Sequence, residues 1–340
     1  MEKDNINDLI VWYMENKRDL PWRKTNDSYK IWISEVMLQQ TRVEAVKTYY
    51  ERFLSELPTI QALADVSEDK LLKLWEGLGY YSRARNLKKC AEELIRLGYH
   101  QLPDEETELK NLPGIGPYTA GAILSIAYQK KYPALDGNVL RILARVFEDD
   151  RDMLNLSVRK SYEDILKNLM IDGYTREFTE AFIELGALIC LPNGKPLCEN
   201  CPLKSICQSY KHNTMMDYPK KKQKKSRKVE EKTVFVIKVN DCYVIQKRDN
   251  SGLLAGMYEL IDVDKYLNAE EITNYFENTN LKDILFLGDF KHIFSHIEWH
   301  MKAYLIKVDS YDKGILVTKE KLFQEYSFPT AYLKILKKVF

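Results

Sequence analysis

The stretch "LPGIGPYTAGAI", from Leu112 to Ile123, places two glycines and two prolines directly before an apolar run. Gly114 and Gly116 can adopt a positive φ and expose their amide groups, while Pro117 favours the first turn of a helix. Two short helices joined in this way direct backbone donors and a positive helix end at a phosphate, without a basic side chain. The stretch therefore predicts a helical hairpin that binds a nucleic-acid backbone. A tight connection inside a helical bundle is the alternative.

The composition is that of a globular protein with about two domains, since 45% of the 340 residues are hydrophobic. With 51 basic and 50 acidic residues, binding to a polyanion must come from local patches or oriented amides. The first residues, "MEKDNINDLI", lack the apolar core of a signal peptide, and no segment reaches the roughly 18 apolar residues of a membrane span. We therefore expect a cytoplasmic protein without membrane attachment.

The first part of the chain, to about residue 190, reads as helical throughout. Apolar residues recur there every three or four positions, as in "VEAVKTYYERFL". Ser67 and Ser157 precede helical stretches as N-caps would, and Gly98 follows one as a C-cap would.

The run "KKKQKKSRK", from Lys220 to Lys228, has seven basic residues in nine and no apolar residue, which predicts a solvated, mobile linker. Beyond it, branched and aromatic residues indicate strands, with helices near 268–278 and 328–338. The predicted strands lie in "KTVFVIKV", "CYVIQKR", "DILFLGDF" and "HMKAYLIKV". We predict a helical domain at 1–218, a basic linker at 219–231 and an α+β domain at 232–340.

Four of the six cysteines cluster, namely Cys190, Cys198, Cys201 and Cys207, separated by seven, two and five residues. This density is unlike a secreted disulfide framework and could supply four thiolates to one metal centre. Zinc sites more often pair two short C-x-x-C elements, and only one is present here, so the pattern favours iron over zinc. Four unrelated buried thiols are the alternative.

Two carboxylates stand out from their neighbours. Glu35 lies in "YKIWISEVMLQQT", where burial among apolar residues would raise its pKa and keep it protonated as a general acid. Asp136 lies in "PALDGNVLRILARVF" and is equally placed to be the N-cap of the helix that follows. From the residues alone, Glu35 could also be a carboxylate on a helix surface.

These segments resemble those of the helix-hairpin-helix base-excision DNA glycosylases. The L-P-G-x-G pattern of that superfamily is matched by Leu112, Pro113, Gly114 and Gly116, and "SEVMLQQT" and "LDGNV" are similar to its segments for the acid and the cation-stabilising aspartate. The resemblance implies a mostly α-helical glycosylase domain with a 4Fe-4S cluster on a loop that carries the four clustered cysteines. In the superfamily the first cysteine gap is usually six residues, whereas here it is seven.

Tyr118 decides between two branches of that superfamily. In the endonuclease III branch this position is a lysine that forms a Schiff base with the sugar and then cuts the strand. A tyrosine here is similar to the MutY branch, which removes adenine mispaired with 8-oxoguanine or guanine by hydrolysis and leaves the strand intact. A tyrosine that merely packs at a helix start is the alternative. Other hypotheses are an endonuclease III-like glycosylase and lyase, and a DNA-binding module whose cluster senses redox state.

The resemblance to the MutY branch runs from about Leu9 to Cys207 and assigns roles residue by residue. The implied catalytic residues are Glu35, Asp136, Tyr118 and Asn138. The implied adenine pocket is formed by Trp22, Arg23, Leu38, Glu180 and Ile183. The implied DNA contacts are Gln40, Thr41, Tyr80, Gly114 and Gly116. Before the resemblance is considered, Tyr80 and Trp22 are at least as well explained as helix-packing aromatics.

The α+β domain carries "HIFSHIEWH", in which Phe294, Ser295 and His296 match the loop by which the MutY branch recognises 8-oxoguanine. The motif is short and depends on its position after the catalytic half. This domain resembles Nudix hydrolases, but no run of glutamates near Gly256 or Glu270 would bind a catalytic metal. We therefore expect a recognition domain, and a monomer whose partner is double-stranded DNA with A:8-oxoguanine or A:G mispairs.

Overall fold

The computed structural model describes residues 1–220 and 226–340. The chain divides into two compact units. The first comprises Met1–Asp65 and Asn86–Gln223, and the second comprises Val66–Arg85 and Lys224–Phe340. The segment Val66–Arg85, which the sequence placed in a helical domain at 1–218, thus belongs with the carboxyl-terminal unit. Helical periodicity continues through this segment, so the pattern alone gave no sign of the boundary.

Helices build the first part of the chain, as predicted. Their bounds are Lys3–Asn16 (α1), Ser28–Leu38 (α2), Val43–Glu56 (α3), Ile60–Asp65 (α4), Glu68–Leu74 (α5), Ser82–Arg96 (α6), Glu106–Asn111 (α7), Pro117–Ala122 (α8), Gly137–Phe147 (α9), Leu156–Leu169 (α10), Thr175–Leu188 (α11) and Gln208–His212 (α12). Short 3₁₀ turns cover Pro21–Lys24 and Cys198–Asn200, and one π turn, Ile123–Ala127, extends α8.

Local capping explains where several helices begin and end. Ser67 caps α5, because its hydroxyl accepts a hydrogen bond from the Lys70 amide at 3.3 Å. Gly98 follows α6 with a φ of +82°, as expected of a C-terminal glycine. The predicted cap at Ser157 is wrong: Asn155 caps α10 by accepting from the Ser157 amide at 2.9 Å.

The core of the first unit positions the catalytic segments. Helices α1, α9, α10 and α11 contribute most of it, and α1 and α9 each pack on α11. Side chains such as Leu9, Tyr13, Leu143, Phe178 and Phe182 are buried there. Because α9 lies in this core, the residues at its amino-terminal end are held on a rigid element.

A mixed sheet forms the second unit. The strands are Lys228–Val239 (β1), Cys242–Lys247 (β2), Tyr258–Glu259 (β3), Ile261–Val263 (β4), Leu281–Ile293 (β5), Ile297–Val308 (β6) and Ile315–Thr318 (β7). The strand order is β3-β2-β1-β6-β5, with β4 pairing β1 and β7 pairing β2. Strands β1 and β6 run parallel, and β5 and β6 form an antiparallel pair.

Helices cover both faces of this sheet. They are Ala269–Tyr275 (α13), Lys319–Gln324 (α14) and Thr330–Val339 (α15). Val234 and Val236 of β1 lie in a core with Tyr332 and Ile335 of α15, whereas Phe235 and Ile237 lie in a core that includes α13. This alternation gives β1 two buried faces, and it confirms the predicted α+β class.

The predicted linker at 219–231 coincides only in part with the structure. Residues 221–225 lie outside the described residues. Lys228–Glu231 form the first part of β1, where Lys228 pairs with Ile297 and Glu231 with His300. These residues are mainly exposed, so their sequence gave no strand pattern. The strand forms because β6 pairs with it in the sheet.

No helix within residues 1–220 and 226–340 is both long enough and apolar enough to cross a membrane.

Candidate active site

One cleft of the first unit, with a volume of about 1200 Å³, holds the four residues predicted to be catalytic. Glu35 projects from α2, and Tyr118 is the second residue of α8. Asp136 immediately precedes α9, and Asn138 belongs to its first turn. The hairpin and the start of α9 therefore bring Tyr118, Asp136 and Asn138 into the same cleft as Glu35. Glu35 lies about 80 to 100 residues earlier in the sequence.

Glu35 has the environment of a proton donor. The residue is 6% exposed, and burial raises the pKa of its carboxyl to about 7, with the negative charges of Glu180 and Asp136 acting in the same direction. The Tyr118 hydroxyl donates a hydrogen bond to Glu35 Oε2 at 2.6 Å, which opposes that rise. A substantial fraction of Glu35 is therefore protonated at neutral pH, as general acid catalysis requires.

Asp136 is fixed by three donors. The backbone amides of Asn138 and Val139 each donate to Oδ1 at 2.8 Å, and Asn138 Nδ2 donates to Oδ2 at 2.7 Å. Burial raises the pKa of Asp136, whereas these hydrogen bonds favour its ionised form. Asp136 is thus the N-cap of α9, as its position before that helix predicted, and it also lines the cleft.

Arg141 holds Asn138 from the other side. Its Nη2 donates to Asn138 Oδ1 at 2.9 Å and to the Gly186 carbonyl at 2.8 Å, and its Nε donates to the Cys190 carbonyl at 2.8 Å. A Cβ at Gly186 would lie 2.5 Å from Asn138 Cβ, so this close approach requires glycine. The Asp136 carboxylate is thereby connected to the first cysteine of the cluster through two side chains.

The predicted adenine-pocket residues line the same cleft: Trp22, Arg23, Leu38, Glu180 and Ile183. Trp22 is buried and meets the Tyr50 ring edge-on at 5.5 Å, so its packing role is also present. Glu180 accepts hydrogen bonds from the Tyr13 hydroxyl and from Arg176 Nε, the latter at 3.2 Å. Burial raises the pKa of Glu180.

A buried carboxylate outside the predictions organises the arginines of this pocket. Glu184 is fully buried and accepts from Arg23 at 2.9 and 3.0 Å and from Arg18 at 2.6 to 3.0 Å. Although burial acts against it, these hydrogen bonds lower the pKa of Glu184 to about 2. Arg23 Nε also lies 4.0 Å from Glu180 Oε2. The charge of Arg23 is therefore shared between two carboxylates.

Four of the five predicted DNA contacts also line this cleft: Gln40, Thr41, Gly114 and Gly116. Gly114 has a φ of +77°, and an added Cβ would lie 2.7 Å from Asn86 Cβ. Gly116 has a φ of −90° and caps α8, so the expectation of positive φ holds only for Gly114. An added Cβ at Gly116 meets no atom within 4 Å, and the residue is exposed in the cleft.

Tyr80, the fifth predicted contact, lies elsewhere. It belongs to the second unit and lines a cavity of about 770 Å³ together with Phe294, Ser295 and His296. The Tyr80 and Ser295 hydroxyls lie 3.2 Å apart. Tyr80 has a φ of +49°, a conformation that is uncommon for a bulky residue. The structure thus groups Tyr80 with the residues predicted to recognise 8-oxoguanine.

The loop that carries Phe294 is supported by aromatic side chains. The Phe294 ring lies edge-on to His292 at 4.5 Å and to Trp299 at 4.8 Å. Trp299 is 2% exposed, and its Nε1 donates to Glu230 Oε2 at 2.9 Å. The loop therefore packs on the buried indole of Trp299, which is hydrogen-bonded to Glu230 near the start of β1.

The four clustered cysteines ring one small cavity of the first unit, together with Arg145 and Tyr210. None of them forms a disulfide. Arg145 Nη1 donates to Cys190 Sγ at 3.2 Å. Within residues 1–220 and 226–340, no three or more His, Cys, Asp or Glu side chains are grouped to hold one metal ion. Four thiols that line one cavity have the donor chemistry of an iron–sulfur site.

Comparisons with known proteins agree with this architecture. The profile of the HhH-GPD superfamily base excision DNA repair proteins matches residues 33–168, and that of the NUDIX domain matches residues 233–338. An adenine DNA glycosylase of Buchnera aphidicola subsp. Baizongia pistaciae is 36% identical over 88% of this chain and 85% of its own length. The Homo sapiens adenine DNA glycosylase is 31% identical over 98% of this chain and 72% of its own length. The chain belongs to the adenine DNA glycosylase family.

Solved structures are similar in fold to part of this chain. A thermostable thymine-DNA glycosylase matches with a TM-score of 0.57 and 28% identity, covering 61% of this chain and 95% of that one. An endonuclease III trapped with DNA matches with a TM-score of 0.53 and 22% identity, covering 63% of this chain and 99% of that one. The second likeness concerns the fold alone.

The sequence patterns did not predict several residues of this site. Arg18, Glu184 and Arg141 act through side-chain contacts that join segments far apart in sequence. A signal existed for Arg141 and Glu184, because each places a charge between apolar neighbours in its helix. Such charges are buried only when they are paired.

Proposed function

We propose that this protein hydrolyses the N-glycosidic bond of adenine that is mispaired with 8-oxoguanine or guanine in double-stranded DNA. The product is an abasic site in an intact strand. The observation that carries the proposal is the pair formed by Glu35, largely buried with its pKa near 7, and Asp136, fixed by three donors, in one cleft. Membership of the adenine DNA glycosylase family supports the choice of base.

The two carboxylates divide the chemistry. Protonated Glu35 gives its proton to the purine ring, which makes the base a better leaving group. The bond between the base and C1′ then breaks, and the carboxylate of Asp136 stabilises the sugar cation. Water adds its oxygen to C1′, and its proton restores Glu35. Tyr118 orients Glu35 through the 2.6 Å hydrogen bond, and Asn138 orients Asp136.

The target base has to leave the duplex before this chemistry occurs, because the bond is inaccessible within the stack. Trp22, Leu38 and Ile183 offer apolar surface to an extruded purine in the cleft, while Arg23 and Glu180 offer a donor and an acceptor. Gln40 and Thr41 line the cleft beside this pocket and would contact the stack that the base vacates. The Gly114 and Gly116 amides would bind the backbone phosphate.

No amine stands where the related lyases carry their nucleophile. Tyr118 occupies that position, and burial raises the pKa of its phenol, which stays neutral. A phenol cannot form a Schiff base with the deoxyribose, so hydrolysis ends at the abasic site. This distinguishes the proposal from that of an endonuclease III-like glycosylase and lyase.

We further propose a 4Fe-4S cluster bound by Cys190, Cys198, Cys201 and Cys207. Bound iron and sulfur would hold the loop between α11 and α12 in shape and take no part in hydrolysis. The test is the iron and acid-labile sulfide content of the purified protein. We expect about four of each per chain, and a loss of both in Cys201→Ser. One zinc per chain, or neither metal nor sulfide, would contradict this assignment.

In the second unit, we propose that Phe294, Ser295, His296 and Tyr80 contact the 8-oxoguanine base opposite the adenine. Support comes from their common cavity and from the hydroxyl pair of Tyr80 and Ser295. The Nudix-like fold serves recognition in this proposal, not the hydrolysis of nucleotides.

The experiment that tests the activity uses a labelled duplex with one adenine opposite 8-oxoguanine. Incubation followed by hot alkali should break the strand at that adenine, whereas incubation alone should leave it intact. Asp136→Asn should abolish base release while duplex binding persists. Breakage before alkali, or a complex trapped by borohydride, would favour the lyase; binding without any base release in wild type would favour a non-catalytic module. Full activity of Asp136→Asn would refute the mechanism.

A further inference from the structure

Two strongly exposed leucines line the cleft that holds Glu35 and Asp136. Leu154 is 69% exposed and Leu156 is 81% exposed. Single exposed leucines are common on protein surfaces. These two are separated by one residue and line the same cleft, so both offer apolar surface to whatever occupies it.

The turn that presents them is fixed by hydrogen bonds. Asp152 Oδ1 accepts from the Leu154 amide at 3.0 Å, and Asn155 Oδ1 accepts from the Ser157 amide at 2.9 Å and thereby caps α10. Arg159 Nε donates to the carbonyl of Met153, whose side chain is buried, at 3.1 Å. Because hydrogen bonds order the turn at both ends, presenting the leucines to solvent costs no further backbone entropy. Their exposure is therefore a property of the fold.

The rest of the rim indicates what they contact. The amides of the glycine hairpin line the same cleft and suit a phosphate. The cations beside the leucines are held by other groups: Lys160 Nζ lies 3.3 Å from Asp164 and 3.9 Å from Glu163, and Arg159 donates to the Met153 carbonyl. The apolar side chains of the two leucines suit the sugar and base edges of DNA rather than its phosphates. Leucine is among the side chains that proteins place against distorted base steps.

We propose that Leu154 and Leu156 contact the sugar and base edges of the duplex that enters this cleft, and that they stabilise the duplex distorted by base extrusion. The inference rests on the proposed function, because that function puts DNA in the cleft. It adds an apolar part to the contacts proposed for the duplex beside the base pocket, which are Gln40, Thr41 and the amides of Gly114 and Gly116. A second copy of this chain is the other occupant that the experiment must separate.

The experiment measures equilibrium binding to a duplex with a stable abasic analogue opposite 8-oxoguanine, over a range of salt concentrations. The variant is Leu154→Ser combined with Leu156→Ser. We expect its affinity to fall about tenfold, equivalent to about 1.4 kcal/mol, while the slope of log affinity against log salt stays unchanged because no phosphate contact is lost. Leu97→Ser is the matched control, since Leu97 is 50% exposed and lies outside the cleft.

Three results would overturn the inference: an affinity equal to wild type, a reduced salt slope, or a change in the oligomeric state of the free protein. Thermal unfolding of the double variant should match wild type, because both side chains are already exposed. The proposed function is judged separately by adenine release from wild-type protein. If wild type releases adenine and the double variant binds normally, only the leucine contact is wrong.

Discussion

The hydrogen bond from Tyr118 to Glu35 offers a direct test of how the acid is set. Replacing Tyr118 with Phe removes a donor that stabilises the ionised carboxylate, so the pKa of Glu35 must rise from its value of about 7. A hydrogen bond to a charged group contributes about 1.5–3 kcal/mol, and 1.36 kcal/mol corresponds to one pKa unit. The expected rise is therefore about one to two units.

The assay is single-turnover adenine release from the A:8-oxoguanine duplex between pH 5 and 9. Glu35 acts in its protonated form, so the wild-type rate should be present at low pH and fall as pH rises through about 7. In Tyr118→Phe the midpoint of that fall should move up to about pH 8 to 9, whatever happens to the maximal rate. Release that falls at the same pH or at a lower pH in the variant would refute the assignment of Glu35 as the acid.

A matched control isolates the effect of this hydroxyl. Tyr29 is also buried, and its hydroxyl donates to the Leu57 carbonyl at 2.7 Å, outside the cleft. Tyr29→Phe therefore removes a buried hydroxyl of the same kind without touching a carboxylate. The midpoint of its pH profile should equal that of wild type.

Three further predictions follow from other contacts. The pKa of Glu184 is about 2 against an ordinary 4.5, so Glu184 contributes stability that is present above about pH 4.5 and lost as pH falls towards 2. Thermal unfolding of wild type should show the free energy of unfolding falling by about 3 kcal/mol over that range, and the fall should be smaller in Glu184→Gln. Gly114→Ala should destabilise the protein by about 1–3 kcal/mol in denaturant unfolding, because of its positive φ and the 2.7 Å approach, whereas Gly116→Ala should fold normally. Trp299→Leu should lower the preference for A:8-oxoguanine over A:G by up to about tenfold, since aromatic pairs contribute about 0.5–1.5 kcal/mol each; an unchanged ratio of single-turnover rates would show that the indole does not hold Phe294 in place.

The fold was largely predictable because its signals are local. Helical periodicity, the hairpin punctuation and the caps at Ser67 and Gly98 each act within a few residues, and the structure confirms them. The strands of the second unit were equally visible, because β1 and β6 are rich in branched and aromatic residues. What the pattern missed depends on tertiary contacts. The segment Lys228–Glu231 pairs with β6 although its own residues are mainly charged.

In the candidate site too, local motifs predicted some residues, whereas the placement of others depends on tertiary contacts. The cleft residues lie in contiguous motifs, so they could be named from sequence, and the structure brings them together. The position of Tyr80 could not be predicted, because the segment Val66–Arg85 is helical in pattern but belongs with the sheet. Lys73 Nζ, for example, donates to the Tyr326 carbonyl at 3.0 Å. No local signal in a helix reports which unit buries it.

The buried charges around the adenine pocket account for the acidity of Glu35 in a way that no single motif does. Three carboxylates, those of Glu35, Asp136 and Glu180, face one cleft, and the charges of the other two raise the pKa of Glu35. Arg23 has the opposite effect on Glu35, but Glu184 holds its guanidinium in two hydrogen bonds. Because burial has the largest effect on Glu35, its pKa is about 7 despite Arg23, and a substantial fraction keeps its proton at neutral pH. The fully buried Glu184 thus fixes Arg23, the cation whose charge lowers the pKa of Glu35, in place beside the adenine pocket.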